Sequence, residues 1–220
     1  MVTIIHRAMR RDAARLARTV AGLSDADATR ARALRRWYGH YHAEVTGHHH
    51  VEDEIWFPVL AERVPTYGQH ADRLEREHRL LEDGLVGVRA ALDDLVSEEG
   101  SARARGPARH AACELSELLD LHLGFEDADI MPLYLRHFTE DEFVEVERRT
   151  RRTIAARRLP FAVPWMLGAA TPPERARVLG QAPLALKVLW YASRRRHAAL
   201  AARAFGPVPA AGDRPIGEVA

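Results

Sequence analysis

Apolar residues along this 220-residue chain recur every three or four positions through most of its length and do not alternate one by one, so the pattern predicts helices and no strands. A first helix is expected over residues 2 to 22, closed by Gly22, and a second from 27 to about 58, where Pro58 should kink or end it. A third covers 67 to 97, the stretch 98 to 107 reads as a loop, and a fourth runs from 107 to 132, again with a proline near its end. Four long helices with short connections make an all-α, up-down-up-down four-helix bundle over residues 1 to 135. Thr139-Glu-Asp-Glu142 has the form of a capping box and opens a fifth helix through about 157. After it, 159 to 168 is apolar and proline-broken, Thr171-Pro-Pro-Glu174 opens a short helix, and 183 to 205 forms a longer one. Residues 136 to 205 are thus an accessory helical extension, and 206 to 220 a flexible tail rich in proline and glycine.

Ionisable groups interrupt the inward stripes of the bundle, and they do so twice in the same register. Val2, His6, Met9, Ala13, Leu16, Val20 and Leu23 match Leu74, His78, Leu81, Leu85, Val88, Leu92 and Leu95 at an offset of 72. His48, Glu52, Asp53 and Pro58 recur as His122, Glu126, Asp127 and Pro132 at an offset of 74. Helical positions i and i+4 lie about 40° apart, so His48 with Glu52, and His122 with Glu126, each present a nitrogen and a carboxylate on one face. Folding the two helix pairs together aims His6, His48, Glu52, His78, His122 and Glu126 at one level of the core. Burying such groups without partners costs several kcal/mol each, and a metal satisfies them together.

Six nitrogen and oxygen ligands without a thiolate are too many for one tetrahedral zinc, and two iron ions bridged by the two carboxylates fit best. Only Glu75-Arg-Glu-His78 has the Glu-x-x-His spacing of ferritin-like di-metal proteins, and Glu75 points off the stripe. His42 and His49 lie on a neighbouring face of the second helix. They are outer partners, replacement ligands or a solvated edge, and the solvated edge is the expected reading. Trp37, Tyr38 and Tyr41 precede His48 and read as core packing, with gating of the site as the alternative. His40, His70, His110, His137 and His197 show no comparable pattern.

Composition narrows the classes. The chain is 47% hydrophobic and 29% charged, with a formal charge of +1, so no strong field favours nucleic acid outside the arginine runs at 148 to 158 and 194 to 203. The single cysteine, Cys113, forms no internal disulfide and excludes a thiolate-rich zinc or iron–sulfur site. No stretch reaches the roughly 20 apolar residues of a membrane span and no leader-like run opens the chain, so a reducing cytoplasm is the expected address. The helix at 184 to 205 has an apolar body and a basic end, and is expected to pack across the bundle rather than lie on a membrane.

Taken together, these segments resemble the hemerythrin-like, HHE cation-binding family: His6 on the first helix, His48, Glu52, Asp53, Phe57 and Pro58 on the second, Glu77 and His78 on the third, and His122, Glu126, Asp127 and Met131 to Leu133 on the last. The resemblance covers about residues 1 to 135. It implies a non-haem di-iron centre bridged by carboxylates, with an open position for dioxygen or a similar small ligand. Oxygen-carrying members have a further histidine on helix three, where this chain has Leu74 and Glu82, so Glu82 is a second-choice ligand and the fifth histidine is missing. They also use His-x4-Asp on the last helix, which selects Asp127; helical geometry selects Glu126, and Asp127 stands second. The function expected is binding of O2, NO or a peroxide for sensing, storage or detoxification. Two alternatives are a di-iron peroxide-degrading enzyme, and a structural protein whose extension docks a partner or a second copy while metal acts as a staple.

Overall fold

A computed structural model describes residues 2–24 and 27–206. Its α-helices are α1 (Val2–Ala21), α2 (Ala28–Val51), α3 (Phe57–Arg63), α4 (Gly68–Ser97), α5 (Ala102–Phe125), α6 (Met131–His137), α7 (Glu140–Thr153), α8 (Leu159–Ala169), α9 (Pro172–Gln181) and α10 (Leu184–Phe205). The bundle is built from α1, α2, α4 and α5, with α4 against both α2 and α5, and α5 against α1. No strand occurs among the described residues.

Local chemistry sets the helix ends, and it moves two of them from where the sequence pattern places them. The Asp27 side chain accepts from Arg30 N–H and starts α2; Ser101 accepts from Ala104 N–H and starts α5 well before Pro107. The expected loop is therefore short. Gly100, at φ +79°, lets the chain turn against the Asp27 backbone, and Pro107 sits inside α5, where its missing N–H removes one helical bond.

The prolines at 58 and 132 do not end their helices. Each helix widens into one π turn, Glu52–Trp56 and Glu126–Ile130, and continues as α3 and α6. Phe57 N–H bonds Glu52 C=O and Met131 N–H bonds Glu126 C=O, five residues back. A proline ring clashes with the carbonyl four residues back, and the wider turn accommodates it. Both π turns begin at the repeated glutamate.

Among the described residues the apolar interior falls into three clusters. One contains Met9, Leu16, Tyr41, Val45, Leu81 and Leu119; a second contains Ile55, Trp56, Leu60, Leu74, Ile130 and Tyr134; a third, Val163, Leu167 and Trp190, belongs to the extension. On α4 His78 lies between Leu74 of the second cluster and Leu81 of the first, and along α2 and its π turn His48 and Glu52 lie between Val45 and Ile55. Tyr38 donates to Leu85 C=O (2.8 Å) and Tyr41 to Met9 C=O (3.0 Å), so these rings pack the core with their hydroxyls satisfied.

The extension lies on the bundle. Thr139 and Glu142 form the expected capping box of α7, which ends at Thr153, and Trp56 Nε1 donates to Thr150 from beneath it (2.9 Å). Residues 159 to 168 are a continuous helix despite Pro164, because α8 buries Phe161, Trp165 and Leu167, and Trp165 Nε1 donates to buried Asp12 of α1 (2.9 Å). Helix α10 packs on α2 and α8. Of the expected tail, residues 207 to 220 lie outside the described residues.

His197 on α10 shows how tightly the extension is held. Its Nε2 is buried without a partner, and its pKa is pushed down to about 4, first by burial and then by Arg11, Arg15 and His40, against the opposing pull of Asp12. The unfolded imidazole titrates near 6.5, so its neutral burial is fully favourable above that value and is lost as the pH falls toward about 4. Urea titrations should therefore show wild type losing on the order of 2 kcal/mol more than His197→Gln between pH 6.5 and 4. Parallel pH profiles of the two chains would contradict this.

Candidate metal centre

All six residues singled out on the stripes reach one place. His48 comes from the last turn of α2, His6 from α1, His78 from α4 and His122 from α5, while Glu52 and Glu126 each open a π turn. His6 Nε2 lies 3.2 Å from His48 Nε2 and 3.5 Å from Glu126 Oε2. His48 Nε2 is 3.1 Å from Glu52 Oε1. On the other side, His78 Nε2 lies 3.9 Å from both Glu52 Oε2 and Glu126 Oε1, and His122 Nε2 lies 3.4 Å from Glu126 Oε1. Each carboxylate thus offers one oxygen to either side.

The inward direction of these nitrogens is fixed from behind. His6 Nδ1 donates to Asp127 (2.8 Å), His78 Nδ1 to Asp53 (2.9 Å) and His122 Nδ1 to Glu77 (3.0 Å). A carboxylate only accepts, so the proton sits on Nδ1 and the Nε2 lone pair faces inward. Arg10 anchors Asp127 (2.7 Å) and Arg73 anchors Glu77 (2.6 Å). Burial would raise the Asp127 and Glu77 carboxyls, but the first is held below its usual range by His6 and Arg10 and the second by Arg73 and His122. Asp53 and Asp127 carry a sequence signal, the same offset of 74; Glu77 has only its place beside His78.

His49 departs from the expected solvated edge. It is buried, stacks on His78 with ring centroids 4.5 Å apart, and meets His122 edge-on at 5.3 Å. Burial and then the nearby His78, His48, His122 and His6 push its pKa well below the usual value, so it is a neutral imidazole. Helix α2 packs on α4, which brings His49 inward beside His78 and His122 as a fifth imidazole. His49, His78 and His122 make one group with nitrogens within 4.8 Å of one another, and His6, His48, Glu52 and Glu126 make a second.

The other second choices lie elsewhere. Asp127 points at the back of His6. His42 faces the Tyr38 ring and stands 3.7 Å from Glu82, which accepts from Thr46 and is half exposed. Neither belongs to either group.

The donor set suits a metal. Both ring nitrogens of His49, Nε2 of His78 and His122, Oε2 of Glu52 and both Oε atoms of Glu126 are buried with no hydrogen-bond partner among the described residues. Such concentration of unsatisfied lone pairs is costly unless cations receive them. Without a cation the same groups charge one another: burial pushes His78 down, but Asp53, Glu126 and Glu52 outweigh it and raise its pKa, while burial pushes Glu126 up and the imidazoles hold it well below the carboxylate range.

Beside His48, Glu52 and Glu126 lies a cavity of about 110 Å3. Its walls are mostly apolar, among them Val2, Ile5, Trp56 and Ile130, and Thr150, Arg151 and Ile154 of the extension roof it. Tyr134 also lines it, with a buried hydroxyl that has no partner among the described residues. Tyr134 carries no signal in the repeat, which places Leu60 at the equivalent position.

No curated protein and no solved structure matches the chain significantly. Residues 2–134 match the hemerythrin HHE cation binding domain, more than half of the chain and the whole of the bundle that carries the site. With the helical bundle, the paired His-x3-Glu turns and the inward imidazoles in place, the chain belongs to the hemerythrin HHE cation-binding family.

Proposed function

We propose that the protein holds two iron ions and binds a small oxidant, O2, NO or a peroxide, in the cavity beside them, for sensing, storage or detoxification in the cytoplasm. The observation that carries this reading is the ring of unsatisfied buried nitrogens and oxygens that opens onto a small apolar cavity. His49, His78 and His122 would hold one ion and His6 and His48 the other, with Glu52 and Glu126 shared between them. Bound iron supplies the electrons and the open ligand position.

The chain's own residues do the rest. Asp127, Asp53 and Glu77 keep the three imidazoles turned inward. Trp56, Ile130 and Ile154 of the extension give the cavity a mostly apolar lining. Burial, then Glu52, Tyr67 and Glu126, raise the Tyr134 pKa, so its hydroxyl stays protonated and is a donor for a ligand in the cavity. His49 adds a buried fifth imidazole beside His78 and His122, α7 lines the cavity, and α8 and α10 lie on the bundle.

Tyr134→Phe should keep wild-type iron content while NO or O2 leaves the reduced protein about tenfold faster, the effect of one lost neutral hydrogen bond. Stopped-flow release rates check this. Equal rates in the two chains would remove Tyr134 from ligand binding.

A further inference from the structure

A second concavity shares no residue with the metal centre. It is a groove of about 840 Å3 between the first half of α2, the approach to α8 and the second half of α10, so bundle and extension build it jointly. Arg30, Arg32, Arg36, Arg157, Arg196 and Arg203 line it. Asp27 is the one carboxylate of the lining, and it stands 3.8 Å from Arg30. None of the other five arginines has a carboxylate partner among the described residues, whereas Arg7, Arg10, Arg11 and Arg63 each hold one. Six guanidiniums against one carboxylate is a steep local excess in a chain whose formal charge is only +1.

The floor is planar and polar-edged. Phe161 is buried, with His40 stacked on it (4.8 Å, 15° between planes) and His197 against its edge at 5.1 Å. Burial and then Arg36 and Arg196 lower the His40 pKa, a sign of positive potential acting inside the groove. Unpaired guanidiniums converging on a concave surface match the oxygens of phosphates, to which arginine gives paired, charge-assisted hydrogen bonds.

We propose that this groove binds a small, multiply phosphorylated ligand, either a nucleoside triphosphate or an inorganic polyphosphate. The volume is that of a small-molecule site, about 300–1,000 Å3. Nucleic acid fits less well, because Phe161 is covered by two imidazoles and leaves no aromatic row on which successive bases stack. A lipid surface fits less well, because the exposed apolar residues of α10, Leu184, Val188 and Tyr191, lie outside the lining. This site shares no residue with the metal centre, so it stands or falls separately. By bridging α2, α8 and α10 the ligand would also clamp the extension to the bundle and raise the melting temperature.

The test is calorimetric titration of the full chain with inorganic triphosphate and with ATP at physiological salt, alongside Arg36→Glu/Arg196→Glu and a control, Arg76→Glu, on α4. Wild type and control should bind, and the double variant should lose at least about tenfold in affinity for each arginine replaced while keeping its helical signal and metal content. Tighter binding of ATP than of triphosphate identifies the nucleoside form, and equal binding the inorganic one. No binding of either anion, unchanged affinity in the double variant, or tighter binding to duplex DNA or to anionic phosphatidylglycerol vesicles than to both anions would overturn the proposal.

Discussion

Glu126→Gln should lose more than about 100-fold in metal affinity while the bundle stays folded, because the amide keeps the shape but removes the charge shared between the two groups of imidazoles. Its Oε1 lies 3.4 Å from His122 Nε2 and its Oε2 lies 3.5 Å from His6 Nε2, so like Glu52 it faces imidazoles of both groups, and losing its charge weakens both. The metal-free chain should suffer too. There Glu126 is the buried counter-ion of His78, and removing it should cost about 3 kcal/mol at neutral pH, the scale for breaking a buried pair. The sign with pH follows from the two partners. Glu126 is depressed, so its contribution is present above the normal carboxylate range and is lost as the pH falls through its folded value. His78 is raised to about 10, so its contribution is lost as the pH rises through about 10. The gap between metal-free wild type and variant should therefore be widest between the ordinary carboxylate value, about 4.5, and the ordinary imidazole value, about 6.5, and should narrow steadily from there toward about 10. Plasma-emission metal analysis and urea titrations of chelator-treated protein measure both effects; unaltered metal content in the variant would contradict the first, and equal urea midpoints the second.

His49→Leu should move metal content and stability in opposite directions. Both nitrogens of His49 are buried without partners, a cost in the metal-free chain, and a leucine there removes that cost while filling much the same space between His78 and His122. The metal-free variant is expected to be about 1–2 kcal/mol more stable than wild type. In the loaded protein the group formed with His78 and His122 falls to two imidazoles, so the iron content should drop toward half. Such opposition is what a residue kept for function shows. A variant that keeps its full metal content would return His49 to a packing role.

Most of the bundle is legible in the sequence because its signals are periodic. His6 and His78 stand on stripes where every other step is apolar, and the offset of 74 carries His48, Glu52, Asp53 and Pro58 onto a second segment. What is lost is what depends on how helices turn against one another. A straight rotation of 100° per residue puts His49 off the stripe, but α2 lies close enough to α4 for His49 to stack on His78. The prolines at 58 and 132 read as kinks or ends because strain is visible in sequence, whereas the relief, one widened turn, is not. Pro107, a residue favoured in a first turn, sets the expected start of the fourth helix, whereas Ser101 caps α5 six residues earlier. The roof of the cavity belongs to a segment whose amphipathic helices gave no hint of where they dock, so Tyr134 and Thr150 became neighbours of the site only through the fold.

If imidazoles and carboxylates from four helices hold a pair of ions, iron analysis of the full chain purified from iron-replete cells will find them. About two irons per folded chain, falling when the carboxylate at 126 is lost, is the result expected. A fully folded chain that stays free of metal after loading with ferrous iron under anaerobic conditions would contradict it.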